Sequence, residues 1–473
     1  MSKTKHIILL NPPGEKQYFR DYYCSKVSKA RYYYHPVDLI YLSGRLAQIG
    51  NVFIIDAIAE KMDQNQCLST VKYITPDVIV FLSSAPSYHQ DMDFISTVKE
   101  AIPTCKMVGT GDVFNEFRTR SLYDNKQLDA IFTDFSTPDI IQYLTKDKND
   151  NHNIPNVIYR HHQHIVEGQE HHTKGDWTVP LPLWDKINLK TYHFPFAKKK
   201  PFASILTDFG CPYNCDFCPV GNLNYKLRPV NHVIDELKML IKLGVKELYI
   251  RDQTFGINKS RTMELLENML SHDFNFSWTC LSRTDVLDQE LLTLMKAAGC
   301  HTIMAGIESA NESLMIKHKK NITLKQSKEN IIKIKKAGIK VSGFFMIGFP
   351  GESKESIQAT AKLARTLPLD FASFNIVAPR FGTDFRQEAI NLGIIDPNNL
   401  NTESSETLPI WKNQKISNNE LLKLQKKAIR KFYFRPSFIL KRILNITSFT
   451  EMANLMREGI AMMVKNVKMR KPQ

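Results

Sequence analysis

The sequence predicts an α/β protein: an N-terminal doubly wound, Rossmann-like parallel sheet, then a partial (β/α)6 TIM-type barrel, then a helical, basic C-terminal region. Three observations predict it. Short apolar runs alternate with amphipathic stretches through residues 1–150, the alternation resumes with a longer period over 201–385, and only helical periodicity remains over 386–473. A chain of 473 residues with 43% apolar and 23% charged content is long enough for about three domains with sizeable cores.

In the first region, 7–10, 52–56, 77–81, 106–108 and 130–132 read as buried parallel strands, with helices such as 39–49 and 92–101 between them. Such sheets bind ligands at the carboxyl ends of their strands, where this chain places Asn11-Pro12-Pro13, Ser83-Ser84 and Gly109-Thr110-Gly111-Asp112. Residues 151–200 read as a connector containing a small hairpin, 156–160 with 164–166, and an irregular stretch around Trp184. Six strands follow, at 203–207, 247–251, 276–280, 302–307, 340–346 and 371–377, separated by helices at 233–243, 260–270, 289–298, 324–337 and 354–366. Six β/α units make an incomplete barrel, whose chemistry belongs at the carboxyl ends of its strands. The last region holds a Lys-rich helix at 418–430 and the segment 432–446. There Phe432, Tyr433, Phe434 and Phe438 stand beside Arg435, Lys441 and Arg442. Two readings stay open for it: a cap packed on the barrel, or a peripheral contact with an anionic membrane or a greasy substrate.

No run of eighteen apolar residues predicts a membrane span, and the N-terminus does not read as a secretory signal, so a cytoplasmic protein is expected. Lys and Arg outnumber Asp and Glu by 63 to 48, a formal charge of +15. The excess is spread along the chain, in runs such as Lys198-Lys199-Lys200 and 317–320, and solvated lysine faces account for it without nucleic acid. The eight cysteines are too sparse for a disulfide framework, but three of them fall within eight residues, which points to metal.

Those three form Cys211-Pro-Tyr-Asn-Cys215-Asp-Phe-Cys218, immediately after the first barrel strand. Closed zinc sites take four ligands. Three thiolates suit a four-iron cluster better, because they hold three irons and leave the fourth open for a substrate or cofactor. Pro212 and Asn214 favour the turns that such a loop needs.

At these residues the chain resembles the radical S-adenosylmethionine (SAM) superfamily, in particular its class with an N-terminal cobalamin-binding domain, over about residues 5–440. The resemblance implies that Cys211, Cys215 and Cys218 bind a [4Fe-4S] cluster whose open iron chelates SAM, and that one electron then yields methionine and a 5'-deoxyadenosyl radical. It implies cofactor contacts for Phe217, the aromatic before the last cysteine, and for Asp252 after the second strand, near the SAM ammonium. Arg283 suits the SAM carboxylate, and Glu308 and Ser309 suit the ribose hydroxyls. Pro350 stands in the Gly348-Phe-Pro-Gly351 turn, near adenine by the same resemblance. For Asp252, Arg283, Glu308 and Ser309 taken alone, a structural hydrogen bond explains each as well.

The N-terminal region resembles the cobalamin-type domain in Asn11-Pro12-Pro13, His35-Pro36 and Asp56-Ala57. It lacks the Asp-x-His-x-x-Gly signature whose histidine would lie below the cobalt, so cobalamin binding without a protein histidine, or none, stays open. The expected activity is cobalamin-dependent methylation, or radical cyclisation or rearrangement, at an unactivated carbon of a lipid, tetrapyrrole or other natural product. Flavodoxin or ferredoxin is the implied electron donor. A radical SAM methylthiotransferase and a non-catalytic metal-binding module are the alternatives.

Overall fold

Apolar runs that are continuous rather than alternating require cover on both faces of a sheet, and the N-terminal strands show why. In the computed structural model, which describes residues 4–23, 25–28, 32–147, 152–171, 175–400, 402, 415–436 and 438–440, β1 (Lys5–Asn11) runs parallel between β2 (Gly50–Asp56) and β3 (Val78–Leu82). Ile7 and Leu9 point into one core and Ile8 and Leu10 into another. β4 (Lys106–Thr110) and β5 (Ala130–Phe132) extend the parallel sheet. The predicted hairpin, β6 (Val157–His161) and β7 (His164–Glu167), adds antiparallel to β5, giving the order β2-β1-β3-β4-β5-β6-β7.

The second sheet contains β8 (Phe202–Ile205), β9 (Glu247–Ile250), β10 (Ser277–Ser282), β11 (Cys300–Glu308), β12 (Lys340–Ile347) and β13 (Phe371–Ile376), all parallel and in sequence order. Helices Val230–Lys242, Lys259–Ser271, Gln289–Ala297, Leu324–Lys336 and Lys354–Thr366 connect them. The alternation Leu248, Ile250, Cys280 and Ile303 against Tyr249 and Met304 divides the strands between two cores. The larger of these also takes Ile7, Leu9, Val80 and Leu82 from the N-terminal sheet, so the two units share one apolar interior.

An open barrel leaves unpaired backbone at its two edges. At β8 the Tyr41 hydroxyl, from helix Val37–Leu46, accepts from the Leu206 amide at 2.9 Å. At β13 the helix Asn418–Tyr433 lies alongside: Tyr433 donates to the Ala372 carbonyl at 2.8 Å and accepts from its amide at 3.1 Å, and Gln425 donates to Phe374 at 2.8 Å. This part of the C-terminal region is therefore a cap on the barrel. Phe434, Ile439 and Leu440 beyond it are exposed. Lys441, Arg442 and the rest of the chain lie outside the described residues, as do Cys24 and His172.

Two small features escape any periodicity argument because their strands are two residues long. Tyr18–Phe19 pairs with Lys26–Val27, and Gly175–Asp176, Lys226–Leu227 and Asp208–Phe209 form a three-stranded sheet that ties the connector to the barrel.

Candidate functional site

The chain leaves β8, turns at Gly210 and enters the cysteine loop. Gly210 sits at φ +83° with the Asn224 carbonyl against the place a Cβ would occupy, so the turn needs glycine. Cys215 is buried, while Cys211 and Cys218 are half-buried. The Cys218 amide donates to the Cys215 carbonyl at 3.0 Å and Gly221 to Cys218 at 3.3 Å, which winds the loop into the short helix Pro219–Asn222. Cys211 Sγ lies 3.8 Å from Thr254 Oγ1, and Cys215 Sγ lies 3.8 Å from the Lys319 carbonyl. Burial pushes both thiols up in pKa. At Cys215 the charges of Lys320 and Arg283 pull the other way, as a site for thiolates requires. Among the described residues no three His, Cys, Asp or Glu side chains are gathered tightly enough for a single metal ion.

The sequence-predicted residues fall into two groups. Arg283 is against the loop: its guanidinium lies 3.8 Å from the centroid of the Tyr213 ring, forks onto Asp285 at 2.9 and 2.7 Å, and donates to the Lys320 carbonyl at 3.1 Å. Its Nη1 is buried with no partner, an orphaned donor beside the cysteines. Glu308 ends β11 at φ +64°, at a register shift against β12, and its Oε1 pairs with Lys320 Nζ at 3.1 Å. Phe217 packs edge-on to Phe349, one residue before Pro350, at 5.9 Å. The turn holding Pro350 is pinned by Glu352, which accepts from the amides of Gly348 and Phe349 at 2.7 and 3.2 Å. Asp252 and Ser309 are occupied by the fold. Asp252, fully buried, accepts from the Thr207 and Asp208 amides at 2.6 and 3.1 Å and from the Thr207 hydroxyl. Ser309, equally buried, bonds Thr360 and accepts from the Asn311 amide.

Sequence reasoning missed Lys320 and His318. The 317–320 run reads as solvated, yet Lys320 is 6% and His318 1% exposed, whereas the alternate residues Lys317 and Lys319 face water. The left-handed Lys319, at φ +56°, turns the chain between the two buried residues. Thr254, near Cys211, was also missed, though it lies two residues after Asp252.

At the carboxyl edge of the N-terminal sheet, Asn11 bonds Asp56 at 2.9 Å and Arg20 forks onto the buried Asp91. Gly111 at φ +126° abuts the Ser83 carbonyl. Thr110 Oγ1 and Asn115 Oδ1, flanking this turn, are buried without partners, polar atoms that a ligand at this edge would satisfy. His35 is not at this edge. It stacks on Tyr192 at 3.9 Å, touches Ser204 of β8 at 3.1 Å, and burial with the nearby Arg251 charge lowers its pKa to about 3.

Residues 206–364 match the Radical SAM superfamily. It is 29% identical over 419 residues to an uncharacterized methyltransferase of Pyrococcus horikoshii, covering 86% of this chain and 90% of the relative. It is 24% identical over 419 residues to the anaerobic magnesium-protoporphyrin IX monomethyl ester cyclase of Cereibacter sphaeroides, covering 85% and 67%. The fold matches the radical SAM methyltransferase TsrM of Kitasatospora setae, solved with cobalamin and a [4Fe-4S] cluster, with a TM-score of 0.73 at 15% identity over 98% of this chain and all of that one. The protein is a radical SAM enzyme with a Rossmann-like domain ahead of a partial barrel. No helix among the described residues is long and apolar enough to cross a membrane.

Proposed function

We propose that Cys211, Cys215 and Cys218 hold a [4Fe-4S] cluster in the carboxyl-end mouth of the barrel, and that the enzyme methylates or cyclises an unactivated carbon of a small natural product, a tetrapyrrole or lipid among the candidates. The observation that carries this reading is the position of the triplet: three cysteines on one loop after the first barrel strand, beside a buried guanidinium nitrogen that lacks a partner. When bound, the cluster and SAM supply reductive cleavage to methionine and a 5'-deoxyadenosyl radical, and cobalamin supplies a methyl carrier.

The chain's own residues do the rest. The Lys320 and Arg283 charges favour the Cys215 thiolate. Arg283 Nη1 is the donor left for the SAM carboxylate, and the Glu308–Lys320 pair fixes a carboxylate oriented for sugar hydroxyls. Phe217 and the Pro350 turn, held rigid by Glu352, offer an apolar wall for adenine. Asp252 and Ser309 fix the backbone that follows β8 and β11. Thr110 and Asn115 carry the polar atoms that would hold a corrin at the neighbouring sheet edge, and the first loop, Pro12-Pro13-Gly14-Glu15, would contribute no histidine to it. A reduced flavodoxin or ferredoxin of the cytoplasm is the donor we assign. The exposed Phe434, Ile439 and Leu440 with nearby basic residues support a peripheral membrane contact through which a lipid-soluble substrate would reach the mouth.

The methylthiotransferase alternative needs a second cluster. Cys67 and Cys105 are buried with pKa values pushed up to about 12, and Cys280 and Cys300 are buried in the barrel, so the described residues offer no second trio. The test is 5'-deoxyadenosine formation from SAM by anaerobically reconstituted protein with a strong reductant. Wild type should form it and Cys215→Ala should not. Protein that carries an intact cluster yet never cleaves SAM, with any substrate class and with or without methylcobalamin, would overturn the proposal.

A further inference from the structure

Between Cys215 and Cys218 the loop offers one charged side chain, Asp216, and the structure uses it. Both Asp216 oxygens lie 3.0 Å from His318 Nδ1. The Asp216 carbonyl also accepts from the Phe385 amide at 3.1 Å. His318 is 1% exposed and its ring sits among three aromatics: 4.5 Å from Phe349, 5.8 Å from Phe385 and 6.3 Å from Phe217. A carboxylate can only accept, so Nδ1 carries the proton that it donates. Nε2, buried with no partner, gives the ring no second anchor. The imidazole therefore spends its single polar contact on the cysteine loop, and the aromatic cage fixes its angle. Lys319, the next residue, reaches the same loop with its carbonyl at Cys215 Sγ and pairs through Nζ with Asp384 at 3.0 Å.

We propose that His318 is a positioning residue for the cluster loop: through Asp216 it fixes the backbone between Cys215 and Cys218, and with it the orientation of those two thiolates and of Phe217. This rests on the [4Fe-4S] assignment above. It goes beyond it by naming a residue 102 positions away from the loop that sets the geometry of the loop. A helix-end histidine in a lysine-rich run carries no sequence signal for such a role.

The test uses the full chain, reconstituted anaerobically, in four forms: wild type, His318→Phe, His318→Gln and Asp216→Asn. Phenylalanine fills the cage but donates nothing; glutamine restores an N–H donor; Asp216→Asn alters the partner without touching the packed ring. Each form is followed by thermal unfolding of the metal-free protein, by the electron paramagnetic resonance signal of the reduced cluster, and by the change that SAM causes in that signal. The expected result for His318→Phe is a melting temperature close to wild type, an altered signal, and SAM affinity about tenfold weaker, the size expected for one lost charge-assisted hydrogen bond. Asp216→Asn should follow it and His318→Gln should recover part of the loss. Wild-type spectra and SAM affinity in either His318→Phe or Asp216→Asn would overturn the inference. If His318→Phe fails to fold, Asp216→Asn decides alone. Wild-type protein that takes up no four-iron cluster would instead overturn the assignment on which the inference rests.

Discussion

Replacing Glu236 by alanine should destabilise the protein by about 3–5 kcal/mol, the range for removing one partner of a fully buried ion pair. Arg228 Nη1 lies 2.6 Å from Glu236 Oε2, and both side chains are fully buried. Glu236 Oε1 accepts from the Trp184 indole at 2.7 Å, and the same Arg228 nitrogen donates to Leu206 O at 2.7 Å and to Tyr41 OH at 3.0 Å. Without the carboxylate the guanidinium keeps only neutral acceptors, and the indole N–H is left unpaired at a further cost of about 1–3 kcal/mol if no water enters. Glu236→Gln keeps an acceptor but not the charge and should cost about 2–3 kcal/mol, whereas Arg228→Met combined with Glu236→Leu removes both charges and should return to within about 2 kcal/mol of wild type. The network joins the N-terminal helix through Tyr41, the connector through Trp184 and the barrel through the rest. Loss of one member should therefore loosen the junction and split unfolding into two steps. Urea titration followed by tryptophan emission reports on this directly, since Trp184 is one of only four tryptophans in the chain. A Glu236→Ala midpoint equal to wild type, with unchanged emission, would refute the reasoning. So would a double variant no more stable than the single one.

Two further outcomes are expected at the carboxyl edge of the N-terminal sheet. Burial raises the Asp112 pKa from 3.8 to about 7, against hydrogen bonds from Ser25 and the Ala85 amide. The native state thus holds a proton that the unfolded chain releases, so the contribution of this group to stability is full below about pH 4 and falls as pH rises toward 7. The loss is at most about 4 kcal/mol. Asp112→Asn should lose this component and fall less steeply than wild type over that window, and equal slopes for the two proteins in melting temperature between pH 5 and 8 would count against this. Gly111→Ala forces a side chain into φ +126° against the Ser83 carbonyl and should cost about 2–4 kcal/mol, read by the same melts; a neutral substitution would mean that the turn relaxes freely.

How much of this was legible in the sequence follows from how far apart in the chain the interacting groups lie. The strands were legible because cover on both faces demands unbroken apolar runs, as in Val78–Leu82, all five residues of which are buried. The hairpin Val157–Glu167 was legible as a hairpin, but its place at the sheet edge was not, because edge pairing with β5 is decided by tertiary contacts rather than by local pattern. The cysteine triplet is compressed into eight residues, so a local reading finds it as a candidate metal site. Asp252 illustrates the opposite limit. A carboxylate at a strand end reads as a ligand, and its oxygens also hold the Thr207 and Asp208 amides 45 and 44 residues earlier, contacts that no local pattern announces. Lys320 and His318 were hidden for a related reason. In a run of basic residues, exposure is the natural expectation, and what buries alternate members is one left-handed residue, Lys319, at the end of a short helix. Arg283, Glu308 and the Pro350 turn arrive from the ends of β10, β11 and β12, and His318 and Lys320 from the turn after the helix Glu312–Lys317, so the local motif names the chemistry while the surrounding fold sets its geometry. That division predicts where function is tuned: substitution of Cys211, Cys215 or Cys218 should abolish chemistry, whereas substitutions at Asp216, Arg283, His318 and Lys320 should change its affinity and spectroscopic character by degrees.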